Sequence, residues 1–187
     1  PFNMKNQKPD ITAVKSAINK IINHLEPNNL IIIESTCPIG TTEIIERIIY
    51  KKRPDLKKDS INISYCPERI LPGNTLNELI YNDRIIGGVN KKSSFESKKI
   101  YKIFVKGKLN ITNSKTAEMC KLAENTYRDI NIAYANELSM ISKKLKIDIW
   151  KLIDLANLHP RVNILKPGPG VGGHCIAVDP WFLISQN

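Results

Sequence analysis

The chain has no C-x-x-C pair. Its four cysteines, Cys37, Cys66, Cys120 and Cys175, stand far apart, which argues against a zinc site or a dithiol redox motif and fits reduced thiols in the cytoplasm. No apolar run approaches the ~18 residues that a membrane span needs. The longest, around Leu30 to Ile33, is strand-sized, so no membrane partner is expected. Acidic residues are scarce, 18 against 28 basic ones, for a formal charge of +10. That excess invites a nucleic-acid reading. The lysines, however, scatter through segments such as Lys51-Lys52-Arg53, Lys57-Lys58, Lys91-Lys92 and Lys98-Lys99, mixed with Asn and Ser. No aromatic–basic pattern of a recognition surface occurs, and solvated lysine on exposed faces is the simpler account. The charge also favours the approach of a polyanionic small molecule such as a nucleotide. Nor does any G-x-G-x-x-G run follow a strand pattern and open a helix, since the one literal match, Gly168-Pro-Gly-Val-Gly-Gly173, has no strand before it.

What is present alternates between two periodicities. Ile11, Val14, Ala17/Ile18, Ile21/Ile22 and Leu25 recur at helical spacing until Pro27-Asn28-Asn29, and Leu30 to Ile33 reads as a buried strand. A turn over Ser35 to Gly40 leads into a helix opened by Thr41/Thr42 with Glu43 and running to about Lys52. A strand is expected from Ile61 to Tyr65, a short helix from Asn74 to Tyr81 and a strand from Arg84 to Val89. Ser93/Ser94 with Glu96 are expected to cap a helix to about Phe104. Strands alternating with helices indicate an α/β unit with a mainly parallel sheet. From Ser114 the character changes. Met119, Ala123, Tyr127, Ile130, Tyr134, Leu138, Ile141 and Leu145 keep an apolar stripe without Gly or Pro. This predicts one long helix, a spine between domains or subunits, with a domain boundary near residue 113. A short helix follows over Asp148 to Asn157.

Three places carry residues that packing does not explain. Pro167 to Pro180 holds four glycines and three prolines in fourteen residues, a composition that places backbone against a ligand or aims a side chain. Asp179-Pro180 reads as an N-cap followed by Pro at the first helical position. Cys175 would then sit just upstream of a helix start, where the dipole favours thiolate; an inert cysteine in a connector is the alternative. Lys121 and Asn125 lie one turn apart on the long helix and project from one face, where an ammonium and an amide can hold an oxyanion or hydroxyl. Glu34-Ser35-Thr36 and Cys66-Pro67-Glu68-Arg69 each follow a strand at the edge where open parallel sheets bind ligands, although either could serve only a cap or a turn.

Taken together these segments carry a resemblance. Glu34-Ser-Thr-Cys-Pro-Ile-Gly-Thr-Thr42, Cys66-Pro-Glu-Arg-Ile-Leu-Pro-Gly73, Ala117-Glu-Met-Cys-Lys-Leu-Ala-Glu-Asn-Thr-Tyr127 and Gly168 to Asp179 resemble, in order and spacing, the motifs of the UDP-glucose/GDP-mannose dehydrogenase family. The resemblance spans essentially the whole chain. It implies the second half of a Rossmann-like parallel-sheet domain (residues 1–113), followed by an all-α central domain with one long helix (residues 114–187) through which a homodimer forms. It further implies NAD as cofactor and a four-electron oxidation of a UDP-sugar C6 alcohol to a carboxylate for surface polysaccharide synthesis. Cys175 matches the family's nucleophile, and Lys121 the lysine that stabilises the C6 oxyanion. Asn125 and Asp179 match its hydrogen-bonding companions, Glu68 the carboxylate that activates water, and Thr36 the hydroxyl that holds water and touches the cofactor. Ser35 joins Thr36 on the cofactor side. Glu68, Arg69, Lys121, Asn125, Arg161 and Gly172 are implied on the substrate side, Arg161 in a segment where a neighbouring subunit contributes. No metal is implied.

Pro72 stands where the UDP-glucose members have a second carboxylate. Together with Asn82-Asp-Arg-Ile-Ile-Gly-Gly88 and His159-Pro-Arg-Val-Asn-Ile-Leu165, it resembles the members acting on UDP-N-acetyl-D-mannosamine. UDP-N-acetylglucosamine or UDP-glucose remain alternatives, as does a truncated, non-catalytic product. Pro1 without an initiator Met, and an end at Asn187 just past an apolar run, read as cut ends. With no phosphate-binding fingerprint, these residues alone are expected to form no NADH and to self-associate, with Leu30 to Ile33 and Trp181-Phe182-Leu183 left open.

Overall fold

In the computed structural model, residues 2–3, 8–70, 73–172 and 175–185 are described. They divide into two compact units, residues 1–121 and 122–187.

The first unit starts with a short antiparallel ribbon, β1 (Phe2–Asn3) and β2 (Lys8–Pro9). The apolar spacing after Asp10 forms α1 (Thr12–Ile21), prolonged by a 3₁₀ turn at Ile22–His24, and buries Ile18 and Ile22. The β-branched run then forms β3 (Leu30–Ile33), because branched side chains fit a pleated surface. α2 (Thr41–Lys52) returns over the sheet and buries Ile45 and Ile49 completely. β4 (Asn62–Tyr65) is buried at all four residues. Ile63 and Tyr65 join the cluster of α1 and α2, while the Ser64 hydroxyl meets that of Ser97. Both faces of the sheet are therefore covered. α3 (Thr75–Tyr81), β5 (Arg84–Gly88), α4 (Lys91–Tyr101) and β6 (Leu109–Asn113) complete the unit.

The strand order is β3-β4-β5-β6. The pairs β3/β4 and β5/β6 are parallel and β4/β5 is antiparallel, so the sheet is mixed. The antiparallel step follows from α3, whose single short helix returns the chain beside β4 rather than crossing over. β6 has no counterpart in the sequence pattern, because Leu109-Asn-Ile-Thr-Asn113 is a half-exposed edge without an apolar run. The expected Ser93/Ser94 cap also moves. Asn90 caps α4 by accepting the Ser93 amide, and both serines are buried against the sheet. Gly87 has no room for a side chain, since a Cβ there would lie 2.5 Å from the Asn113 carbonyl and 2.6 Å from the Ala117 Cβ. That close approach seats the start of the next helix on β5.

This helix, α5 (Ser114–Leu145), runs unbroken for 32 residues, as the uninterrupted stripe predicts. In the second unit it is followed by α6 (Ile149–Ala156), capped by Asp148 through the Trp150 and Lys151 amides, and by α7 (Asp179–Ile184). The stripe faces outward. Tyr127, Ile130, Tyr134 and Leu145 are each more than half exposed. The segments expected to be open are partly closed instead, with Ile31, Ile33 and Phe182 buried. Among the described residues, no helix is long and apolar enough to cross a membrane.

Candidate active site

β3 and β4 point the same way, and their pairing continues past their ends. The Cys66 amide donates to the Ile33 carbonyl at 2.9 Å and the Glu68 amide to the Glu34 carbonyl at 3.3 Å. Glu34-Ser35-Thr36 and Cys66-Pro67-Glu68-Arg69 are thereby laid side by side at the carboxyl edge. Lys121 reaches this edge from α5, its ammonium donating to the Glu68 carbonyl at 2.6 Å. The Glu68 carboxylate accepts the Arg69 amide at 2.7 Å and lies 3.4 Å from Nη1 of Arg84. Arg69 extends to the Asp83 carbonyl. Ser35 is exposed and Thr36 half-buried. The first unit thus brings together Ser35, Thr36, Glu68, Arg69 and Lys121.

The second unit pairs Asn125 with Asp179. The Asn125 amide donates to Asp179 Oδ2 at 2.6 Å, with both residues buried. This corrects the N-cap reading, because α7 starts at Asp179 with Val178 as its cap and no side-chain cap bond. The carboxylate is used by the helix that bears Asn125, a long-range contact that local spacing does not reveal. Cys175 is exposed, and its carbonyl accepts the Val178 and Asp179 amides. A single turn therefore joins the thiol to the Asn125–Asp179 pair. Gly172 is exposed with open space around it, and the neighbouring Gly170 lies in the left-handed region, at φ +112°. Arg161 is exposed in a separate turn, where its amide donates to His159 Nδ1 at 3.3 Å. Pro72, Gly173 and His174 lie outside the described residues.

Beneath the edge lie polar residues that sequence reasoning missed. Arg84 is 2% exposed and stands 5.6 Å from the Tyr101 ring centroid. The Tyr101 hydroxyl donates to Glu34 at 2.6 Å, and burial pushes this phenol well above its usual range. Glu118 is fully buried and bonded to the start of α2. Burial pushes its carboxyl up, opposed by the donors of Thr42 and Gly40. The available signals were a charged residue opening the apolar strand Arg84-Ile85-Ile86 and an acid inside the Ala117 motif. Among the described residues, no cluster of His, Cys, Asp and Glu could hold a metal.

Two family models cover most of the chain. The NAD binding domain of the UDP-glucose/GDP-mannose dehydrogenase family matches residues 1–105, and its central domain matches residues 115–187. The chain belongs to this family. A UDP-N-acetyl-D-mannosamine dehydrogenase of Yersinia pestis is 55% identical over 96% of the chain and 44% of its own length. An NDP-N-acetyl-D-galactosaminuronic acid dehydrogenase of Ralstonia nicotianae is 49% identical over 98% of the chain and 45% of its own length. The solved UDP-D-ManNAc dehydrogenase of Pyrococcus horikoshii superposes with a TM-score of 0.93 at 43% identity, covering 99% of the chain and 44% of that structure. The chain thus spans less than half the length of these relatives.

The domain matched by residues 1–105 is an NAD binding domain. Ser35 and Thr36, at the end of a parallel strand pair, fit that cofactor, and the fingerprint for its pyrophosphate is not among these residues. The cysteines of this chain differ sharply in environment. Burial pushes the Cys37 thiol up to about 12 and the Cys66 thiol up to about 11, whereas Cys175 is exposed. Iodoacetamide at mildly alkaline pH is therefore expected to alkylate Cys175 first and to leave Cys37 and Cys66 untouched until denaturant is added. Peptide mass spectrometry that finds Cys66 labelled in the native protein would contradict its placement.

Proposed function

We propose that the chain forms part of a UDP-sugar 6-dehydrogenase acting on UDP-N-acetyl-D-mannosamine, with residues 1–113 on the cofactor side and 114–187 carrying the nucleophile. The observation that carries this reading is the Asn125–Asp179 bond one turn from an exposed Cys175. It is supported by Lys121 held at the Glu68 carbonyl. Two NAD⁺ per product would, when bound in turn, each accept one hydride. In the first oxidation, the C6 hydroxyl proton passes to the water that Asn125 and Asp179 hold, and Lys121 offsets the negative charge that develops on the oxygen. The Cys175 sulfur then adds to the aldehyde carbon. Loss of a second hydride from that carbon leaves a thioester. Glu68 takes a proton from water as it attacks, the C–S bond breaks, and carboxylate and thiol are released. Asn125 and Asp179 orient the water and the C6 oxygen. Arg69, Arg161 and Gly172 contact the nucleotide sugar, and Ser35 and Thr36 the cofactor. The two relatives named for acetamido sugars support an acetamido substrate, as does Pro72 in place of a carboxylate.

An acetamido pocket has polar partners that a bare hydroxyl leaves unmatched, at a cost of about 1–3 kcal/mol per unpaired group. The full-length enzyme is accordingly expected to show kcat/KM about a hundredfold lower with UDP-glucose than with UDP-N-acetyl-D-mannosamine. Equal efficiencies, read as NADH absorbance, would remove the substrate assignment and leave the family intact. UDP-N-acetyl-D-galactosamine is the second sugar to assay, because the Ralstonia relative is named for that series. The product would feed a surface polysaccharide, and the four free thiols support a reducing compartment such as the cytoplasm. The outward stripe of Tyr127, Ile130 and Tyr134 supports a homodimer through α5, which sedimentation equilibrium of a Tyr134→Lys variant would test by its dissociation to monomer.

A further inference from the structure

A single turn of α5 presents two functional groups to the carboxyl edge of the sheet, and only Lys121 has a role so far. The other is Glu118, fully buried. A carboxylate in such a place is costly unless its lone pairs are met, and here they are. Oε2 accepts the Gly40 amide, while Oε1 accepts the Thr42 amide at 2.8 Å and the Thr42 hydroxyl at 2.6 Å. These donors belong to the first turn of α2, whose cap Gly40 is left-handed at φ +89° and offers no side chain. Glu118 supplies the missing cap from a distant part of the chain.

The consequence reaches beyond α2. The turn between β3 and α2 carries Ser35 and Thr36. It is tied at one end by the sheet and internally by the Thr41 hydroxyl on the Pro38 carbonyl and the Cys37 thiol on the Ser35 carbonyl. Its far end is held by Glu118. One helical turn later, Lys121 grips the neighbouring loop through the Glu68 carbonyl. The same piece of α5 therefore fixes the loops that follow β3 and β4 relative to each other.

We propose that Glu118 is a positioning residue for the cofactor side, holding the Ser35–Thr36 hydroxyls in register with Lys121. This rests on the reading of Ser35 and Thr36 as cofactor contacts. A purely structural cap predicts something different: its loss lowers the folded fraction and hence kcat, without changing the affinity of the molecules that remain folded.

The test uses the full-length protein with Glu118→Gln, Glu118→Asp and the unsubstituted chain. Glutamine keeps the shape but turns an amide N–H toward one of the donors, whereas aspartate keeps the charge. Removing one such hydrogen-bonded anchor corresponds to about a tenfold change. The calorimetric Kd for NAD⁺ is therefore expected to rise about tenfold in Glu118→Gln and to recover largely in Glu118→Asp, with KM for the UDP-sugar within about twofold of the unsubstituted value. Hydrogen exchange at the Gly40 and Thr42 amides should accelerate in parallel. Unchanged exchange would show that Glu118 does not hold the turn. Faster exchange with unchanged NAD⁺ affinity would reduce it to a helix cap. Either result overturns the proposal. If the unsubstituted protein produces no NADH from any UDP-sugar, the proposed function fails, and the NAD⁺ affinities still decide the role of Glu118.

Discussion

Cys175→Ala in the full-length enzyme is expected to stop acid formation, lowering it by on the order of 10⁴ or more, the scale on which loss of a catalytic nucleophile is felt. The second oxidation needs an sp³ carbon that carries the hydride to be removed, and sulfur addition to the aldehyde creates it. Without the thiol the reaction halts at the aldehyde. Cys175 suits the task because it is exposed while Cys37 and Cys66 are buried, and because its carbonyl anchors the turn that leads to Asp179. Serine at the same place is a weaker nucleophile and a poorer leaving group. A Cys175→Ser variant incubated with substrate and NAD⁺ should therefore accumulate an ester adduct or aldehyde-level product, both visible by mass spectrometry. Acid formation at the unsubstituted rate in the alanine variant would remove Cys175 from the mechanism.

Lys121→Ala is expected to cost roughly 10²–10³ in kcat, the effect of losing one preorganised oxyanion donor, with a smaller effect on NAD⁺ affinity. The ammonium is already in place at the sheet edge, held by the Glu68 carbonyl at 2.6 Å, so little reorganisation is needed as charge develops on the substrate oxygen. Arginine should not restore the rate. Its planar guanidinium is larger and its donors point in fixed directions, unlike the compact ammonium that this contact accommodates. Rapid-quench measurement of the first NADH formed isolates the step. An unchanged rate in Lys121→Ala would make the residue a loop fastener and nothing more.

The sequence by itself determined most of the elements and the family. Leu30 to Ile33, Thr41 to Lys52 and the 32-residue α5 lie where their apolar periodicity places them, because apolar spacing is a local property. The Cys175, Lys121 and Glu68 motifs stood out in the sequence only when taken together, as a resemblance to a family whose models match the chain. Tertiary structure decided the partners. The Asp179 carboxylate could cap its own helix or leave for another, and only the fold shows it bonded to Asn125, 54 residues away. Glu118 and Arg84 looked like ordinary charges in the sequence and proved to be buried beneath the sheet edge. The antiparallel β4/β5 step and the edge strand β6 escaped as well, since pairing direction depends on how the intervening chain returns. Local rules say where a residue stands in an element. Which donor meets a buried carboxylate depends on chain segments far apart in sequence, and the cost of leaving such a group unpaired selects the arrangement that satisfies it.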